Sequence, residues 1–464
     1  MMLRSKVLNQ DKNGQEKKMK DREFYKSFFQ LYIMLVLQNI VTLSVNLADN
    51  IMLGAYGELS LSGVTAVNQI QFLYQQILIA FGDGMVIFCS QYWGKKQFQP
   101  MKKVIAIAMR FGMMAAILLF VVITLFPGQA MLLFTTDKRI IREGVTYLHT
   151  IRFTYLFFAV TQMLLAALRS TEVAKIALKL SVLALVVNCG MNYILIFGRF
   201  GAPELGVTGA AIGTLTARIL ECAVLIGYMI RKEKYLRMKL SDFLQRDWQL
   251  LKDYLKIMLP LLMLCALWGI NTAMQTVVLG HMNSAAIAAN SAASNLYLLV
   301  KSAAVGAASA ASVLIGKMIG MGDGEQVKRY ARKLQMLFVL LGIAGGIFLY
   351  FIRIPILSLY NLSPEARQLA NQFLGILSVI YIGMAYQMPT NAGIIKGGGS
   401  VSFAAKLDTV CICLIVIPLS CYMAFVAGAS PAVVVICLNI DQFLKCVPVF
   451  LKVNYGNWMK KLTR

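Results

Sequence analysis

Phe28–Tyr56 reads FFQLYIMLVLQNIVTLSVNLADNIMLGAY, and its only charged residue is Asp49. A run of about 20 mostly apolar residues is long enough to cross a bilayer as a helix. A carboxylate inside such a helix costs roughly 2.5–3.5 kcal/mol on insertion scales. Residues kept at that cost usually face a protein interior or a wet cavity, where they bind a proton, a metal ion or a cationic substrate. The bland alternative is a structural ion pair with an intramembrane base, and Arg152, Arg218 and Lys301 are the candidates for it.

The apolar pattern continues along the whole chain. Of its 464 residues, 58% are hydrophobic and 14% charged, and the mean hydropathy is +0.68. A soluble domain would carry about 25% charged residues. The sequence therefore predicts an all-α membrane protein with twelve transmembrane helices, near 28–56, 64–92, 104–126, 145–168, 176–198, 207–230, 257–282, 285–316, 334–358, 368–394, 407–428 and 431–451.

A net charge of +24 raises the question of nucleic acid, but its distribution argues for a membrane instead. With the N-terminus inside, the tails and cytoplasmic loops (1–26, 94–104, 169–179, 231–256, 317–333, 396–406, 452–464) hold 34 of the 45 Lys and Arg. The outside loops hold six: Lys138, Arg139, Arg142, Arg199, Arg353 and Arg367. This asymmetry predicts both termini in the cytoplasm of a multi-pass plasma-membrane protein. Membrane lipids, through anionic headgroups, are the partners expected for the basic loops, and nucleic acid is not. The polar first 26 residues show no removable signal peptide. All nine cysteines fall in apolar segments without metal spacing and are expected to be buried free thiols.

The chain also repeats itself at an offset of 226 residues. Asp-Asn-Ile-Met-Leu-Gly (49–54) aligns with Gln-Thr-Val-Val-Leu-Gly (275–280), Gly94 with Gly320, and Lys102-Lys103 with Lys328-Arg329. Six helices per half give both halves the same orientation. They are expected to form two six-helix bundles related by a pseudo-two-fold axis along the membrane normal, with a cleft between them. The predicted organisation is a basic tail (1–26), an N-terminal lobe (27–231), a linker (232–252), a C-terminal lobe (253–455) and a second tail (456–464).

With these features in place the chain resembles the multidrug and toxic compound extrusion (MATE) transporters over residues 27–455. The carrying motifs are Val-Asn-Leu-Ala-Asp-Asn-Ile-Met-Leu-Gly (45–54), Ser-Gln-Tyr-Trp-Gly-Lys-Lys (90–96), Asn188-Cys-Gly-Met-Asn192-Tyr-Ile-Leu-Ile-Phe-Gly and Pro-Glu-Leu-Gly-Val-Thr-Gly-Ala-Ala-Ile-Gly-Thr (203–214). The resemblance implies a cation site in the N-terminal lobe, where Asp49 matches the acid, Asn188 and Asn192 the fifth-helix pair, and Thr214 the sixth-helix hydroxyl. The residues themselves are consistent with that grouping. Asn188 and Asn192 are four apart and share a helical face. A carboxylate, amide oxygens and a hydroxyl are hard ligands suited to Na⁺, and the same set suits a protonatable carboxyl. The bland reading is interhelical hydrogen bonding for the two amides and self-bonding for the threonine.

The chain departs from the family in its second half. Where some members carry acids in the seventh and tenth helices, this chain has Trp268 and Ala385, and Gln275, the counterpart of Asp49, is neutral. No second cation site is expected there. The first helix has Met34 where a proline is common, and its repeat partner in the seventh helix is Pro260. Asn46, Gln69, Gln275, Asn295, Tyr381 and Gln387 are candidates for the substrate cleft, against ordinary helix contacts. Asp441 and Lys445, four apart, read as a structural pair, and Asp83, between two glycines, is open to two readings, a cleft-lining acid or close helix packing.

Neither histidine (His149, His281) makes a metal or triad spacing, and Lys-Gly-Gly-Gly-Ser (396–400) is not a phosphate-binding loop. The expectation is a non-enzymatic secondary exporter without a cofactor, acting as a monomer. It would exchange organic, cationic or amphipathic small molecules for Na⁺ or H⁺ by alternating access. The rivals are a flippase for a lipid-linked or endogenous metabolite, which is expected to have a more cationic cavity, and a membrane enzyme or channel.

Overall fold

A computed structural model of the chain describes residues 2–233, 235, 236, 238, 240–243, 247–282, 284–358, 360 and 362–463, with backbone alone for 2–20, 240, 241 and 284. Within the expected linker, Lys234, Arg237, Lys239, Leu244, Gln245 and Arg246 lie outside the described residues. The described residues are helical and form no strand. In chain order the spanning helices are α1 (Met2–Tyr56), α2 (Glu58–Gly94), α3 (Phe98–Leu125), α4 (Lys138–Ile151 and Thr154–Ser170), α5 (Lys175–Phe197) and α6 (Gly206–Arg231). The second half holds α7 (Trp248–Gly280), α8 (Ser284–Met321), α9 (Gly324–Leu357), α10 (Pro364–Ile395), α11 (Val401–Val426) and α12 (Pro431–Asn454). These twelve spans form two six-helix lobes.

Helix starts follow local chemistry. Asp137, Asp247, Asp323 and Ser363 each accept a hydrogen bond from an amide two or three residues further on, satisfying a donor the helix cannot. Long apolar side chains such as Leu118, Val186, Leu340, Phe351 and Leu414 stay exposed, as lipid-facing positions require.

Three features differ from the sequence expectations. The fourth span was expected as one helix over 145–168, but it starts at Lys138 and bends by 57°. At the bend the amides of Phe153 and Tyr155 reach carbonyls three residues back, and the Arg152 side chain packs over the Phe120 and Phe153 rings at 5.7 and 5.2 Å. In α10 the Pro389–Ile395 stretch widens into a π-helix, because Pro389 has no amide to donate. Finally, the nine cysteines are free, but only Cys89, Cys222, Cys411 and Cys437 are buried, and Cys413 is exposed. A thiol is apolar enough to face lipid.

The two-fold repeat is clearest at the face that carries both termini. There the ends of α2 and α8 cross so tightly that a Cβ on Gly94 would lie 2.0 Å from the Lys317 carbonyl oxygen. Reciprocally, a Cβ on Gly320 would lie 2.0 Å from that of Gln91. Two ion pairs flank the crossing. Lys103 of α3 meets Asp247 at the start of α7 (3.2 Å), and Arg329 of α9 meets Asp21 of α1 (3.1 Å). Both partners of one pair sit 226 residues from those of the other. Lys333 also reaches Asp21 at 2.5 Å, and Glu172 pairs with Lys317 across the lobes.

The stretch after α12 straps this face. Its Trp458 is fully buried. The Lys460 amide donates to the Gly398 carbonyl at 2.7 Å, and Gln91 bonds the Lys460 carbonyl (3.1 Å) and the Leu462 amide (2.9 Å). The hydrogen bonds, ion pairs and ring contacts joining the lobes run from here up to Phe72 and Trp268, whose rings are 5.4 Å apart. Beyond them Asn46, Leu47, Asn50 and Ile51 of α1 and Ser291 and Asn295 of α8 are exposed. Among the described residues the lobes are joined at the terminal face and show no such contact at the other.

Candidate functional site

Asp49 lies in α1 seven residues before Tyr56, about 10 Å from the helix end at a helical rise. That part of α1 packs on α5, which carries Asn188 and Asn192 on one face, both buried. Asn192 Nδ2 donates to Asp49 Oδ1 at 2.6 Å and to Asn188 Oδ1 at 3.4 Å, and Asn188 Nδ2 donates to Thr214 Oγ1 of α6 at 3.1 Å. One hydrogen-bond chain thus joins four side chains from three helices. Gly213 makes room for it, since a Cβ there would lie 2.2 Å from Asn192 Oδ1.

Asn192 Oδ1 is buried and has no hydrogen-bond partner. An unfilled buried acceptor costs about 1–3 kcal/mol, which a bound cation or a nearby carboxyl proton would offset. The donor set is one carboxylate among neutral amide and hydroxyl oxygens, so it carries a single negative charge. That fits one monovalent hard cation or one proton. Among the described residues no group of three or more His, Cys, Asp and Glu is placed to hold a metal ion, so a multi-carboxylate divalent site is not built there.

None of the three intramembrane bases forms an ion pair with Asp49. Arg218 pairs with Glu221 at 2.8 Å and sits 4.8 Å over the Phe158 ring, Arg152 packs on Phe120 and Phe153, and Lys301 lies 4.8 Å over Trp268. The structural ion pair set against a functional Asp49 is therefore not formed. Sequence reasoning missed Tyr147. This residue of the first half of α4 is buried, and its half of the span packs on α6, the helix that carries Thr214. It has no motif, and only the bend of α4 shows that its half of the span packs on this cluster.

The remaining cleft candidates separate. Asn46 and Asn295 are exposed and Gln275 half-buried in the parted halves of α1, α8 and α7. Gln69 lines a cavity of about 490 Å³ within the N-terminal lobe, together with Ser62, Thr65 and Phe134. Tyr381 and Gln387 are buried in the C-terminal lobe. The Tyr381 hydroxyl donates to the Val300 carbonyl (3.0 Å) and Gln387 Nε2 to Gln442 Oε1 (2.7 Å), so both are taken up by internal bonds. Asp83 pairs with Arg169 at 2.9 Å. Lys445 lies between Asp408 and Asp441, 2.8 Å from each, which makes the buried Asp441–Lys445 pair part of a triad with the partly exposed Asp408.

Comparison with known proteins adds the family. The MatE family model matches residues 35–194 and 260–422. A probable multidrug resistance protein, NorM of Thermotoga maritima, is 22% identical over 385 residues, covering 82% of this chain and 81% of that protein. A crystal structure of a MATE protein in complex with MaL6 superposes with a TM-score of 0.84 at 17% identity, covering 92% of this chain and 95% of the other. Another, described as an outward-facing conformation of a multidrug resistance MATE family transporter, gives 0.82 at 18% identity, covering 92% and 94%.

Proposed function

The chain belongs to the multidrug and toxic compound extrusion family of transporters, and on that premise we propose that it exports organic, cationic or amphipathic compounds in exchange for Na⁺ or H⁺. It is a transporter, not an enzyme. One observation carries the coupling reading: Asp49 is bonded to Asn192, forms no ion pair among the described residues, and has a buried, partnerless amide oxygen beside it.

The basic loops give the orientation. With the positive-inside rule applied, the closed terminal face is cytoplasmic and the parted face is external. The outward-open chain then takes its cation at Asp49 from outside. Binding stabilises one arrangement of α1 against α5 and α6, and the lobes, joined through the 232–252 linker, shift toward the inward-open state. Coupling is the difference in cation affinity between the two states. Asn188, Asn192 and Thr214 hold the cation or orient the carboxyl, and Asn46, Gln275 and Asn295 line the substrate path. The protein works as a monomer, since each lobe pair contains a whole cleft.

The test is efflux of a panel of organic cations from proteoliposomes with Na⁺ and pH gradients imposed separately. The expected result is transport driven by one of the two gradients in wild type and lost in Asp49→Asn. Gradient-driven efflux by that variant at the wild-type rate sinks the coupling role.

A further inference from the structure

Lys301 is a charged residue that the coupling site does not use. It stands near the middle of α8, the depth at which a lone ammonium is most costly. It is half-buried, and among the described residues no carboxylate oxygen lies within ion-pairing distance of its ammonium. Its one close partner is an aromatic face: the ammonium is 4.8 Å from the Trp268 ring. Trp268 in turn meets Phe72 of the other lobe, at the level where the contacts between lobes end. Three and six residues further out on α8, Leu298 is 40% exposed and Asn295 is exposed. Lys301 therefore sits at the floor of the space between the parted lobes.

A structural role would make Lys301 the counter-ion of Asp441, which is within Coulombic reach. The geometry opposes that. Asp441 already holds Lys445 at 2.8 Å through Oδ2, and its Oδ1 is buried without any hydrogen-bond partner. An ammonium serving Asp441 would fill that oxygen. Lys301 instead leaves its donors free.

We propose that Lys301 and Trp268 form a receptor at the cleft floor for the anionic group of an aromatic amphiphile. The ammonium takes the carboxylate or sulfonate, and the apolar surface of the touching indole and Phe72 rings takes the aromatic body. This rests on the exporter reading and sharpens its cargo. A compound with an aromatic body and an acidic group fits the floor better than a simple organic cation, which Lys301 repels.

The experiment is titration calorimetry in nanodiscs, with no ion gradient present, using 2-naphthoate and 2-naphthylmethylammonium. The two probes share a ring and differ in charge. Wild type is expected to prefer naphthoate. Lys301→Gln should weaken naphthoate by about tenfold or more, the worth of a charge-assisted hydrogen bond, and leave the ammonium probe unchanged or tighter. Lys301→Arg should keep the preference, and Trp268→Leu should weaken both probes alike. Equal naphthoate affinity in wild type and Lys301→Gln overturns the proposal, as does a wild-type preference for the ammonium. Loss of both probes in Lys301→Gln and Lys301→Arg also overturns it and returns Lys301 to a packing role. Failure of ion coupling would appear in gradient experiments while this binding persisted, so the two readings fail separately.

Discussion

The terminal face of the molecule obeys its internal two-fold, and the membrane core does not. At the face, Lys103–Asp247 and Arg329–Asp21 are the same ion pair made twice, around a reciprocal crossing at Gly94 and Gly320. In the core the N-terminal lobe holds an acid among amides, and the C-terminal lobe has Gln275 in its place. The second lobe's own acids, Asp408 and Asp441, clasp Lys445. A lysine is a cation that cannot leave. The duplicated parts are those that, on the proposed mechanism, both lobes would use in opening and closing together. On the proposed reading, the chemistry that requires an exchangeable ion is confined to one lobe.

The largest expected effect separates the two kinds of acid. Asp49→Asn should fold normally and lose ion-driven efflux altogether, because nothing in its network depends on the charge for packing. Asp441→Asn should do the reverse, keeping ion dependence in whatever protein remains folded. If proteoliposome assays found ion coupling lost in Asp441→Asn at full stability, the division of labour between lobes would be wrong.

Next in size is the loss of the tethered cation. Lys445→Met leaves the buried Asp441 and the partly exposed Asp408 without a counter-charge, and breaking a buried pair in this way costs about 3–5 kcal/mol. Thermal unfolding in detergent should show a large drop for Lys445→Met, well beyond that of any single variant at Asn188, Asn192 or Thr214. A drop no larger than theirs would mean that the triad is hydrated and exchangeable, like the N-terminal site.

A smaller effect tests the packing around Asn192. Gly213→Ala puts a methyl group against an amide oxygen it cannot pass, with an overpacking cost of about 1–3 kcal/mol. Cation dependence of transport should shift to higher concentration, or to lower pH if the ion is H⁺. An unchanged dependence would show that Asn192 moves freely and does not hold the ion.

How much of this was legible depends on the range of the interaction. Hydropathy and length located all twelve spans, because lipid allows an apolar helix little alternative. Asn188 and Asn192 could be placed on one face from their spacing alone. The bend in α4 was not visible, since Arg152 and Phe153 are ordinary residues whose effect depends on Phe120 of α3. Tyr147 was hidden for the same reason. Gln387 reads as a cleft candidate because an intramembrane amide looks functional, and its bond to Gln442 of α12 could not be read from the sequence. The paired Asp21 and Asp247 stand at the repeat offset, yet a charge beside a membrane end has many possible partners. Sequence spacing alone does not choose one.

The smallest effects test the symmetric half of the comparison. Each pair at the terminal face is partly exposed, so each is worth about 0.2–1 kcal/mol toward closure. Spin labels on Gln99→Cys and Glu325→Cys, two exposed repeat partners, would report that closure once Cys413 is replaced by serine. Asp21→Asn and Asp247→Asn should both broaden the distance distribution outward. Asp21 should matter somewhat more, because it holds Lys333 as well as Arg329. Asp247→Asn touches the α7 N-terminus too, since Asp247 caps the Leu250 amide, but asparagine is also a good cap and should retain much of that bond. The Lys103–Asp247 pair makes the effect pH-dependent. The Leu250 amide first, and Lys103 after it, hold the Asp247 carboxyl below the ordinary carboxylate range despite some desolvation. The cap lies within α7 and is common to the closed and open face, so only the Lys103 share of the depression stabilises closure; that share is present above the ordinary carboxylate range and is lost as pH falls through the depressed value. Acidifying the terminal side should therefore loosen the wild-type face and leave Asp247→Asn less responsive. If only one of the two aspartates affected the distance, the face would be asymmetric as well, and the two-fold would describe the fold without describing the gate.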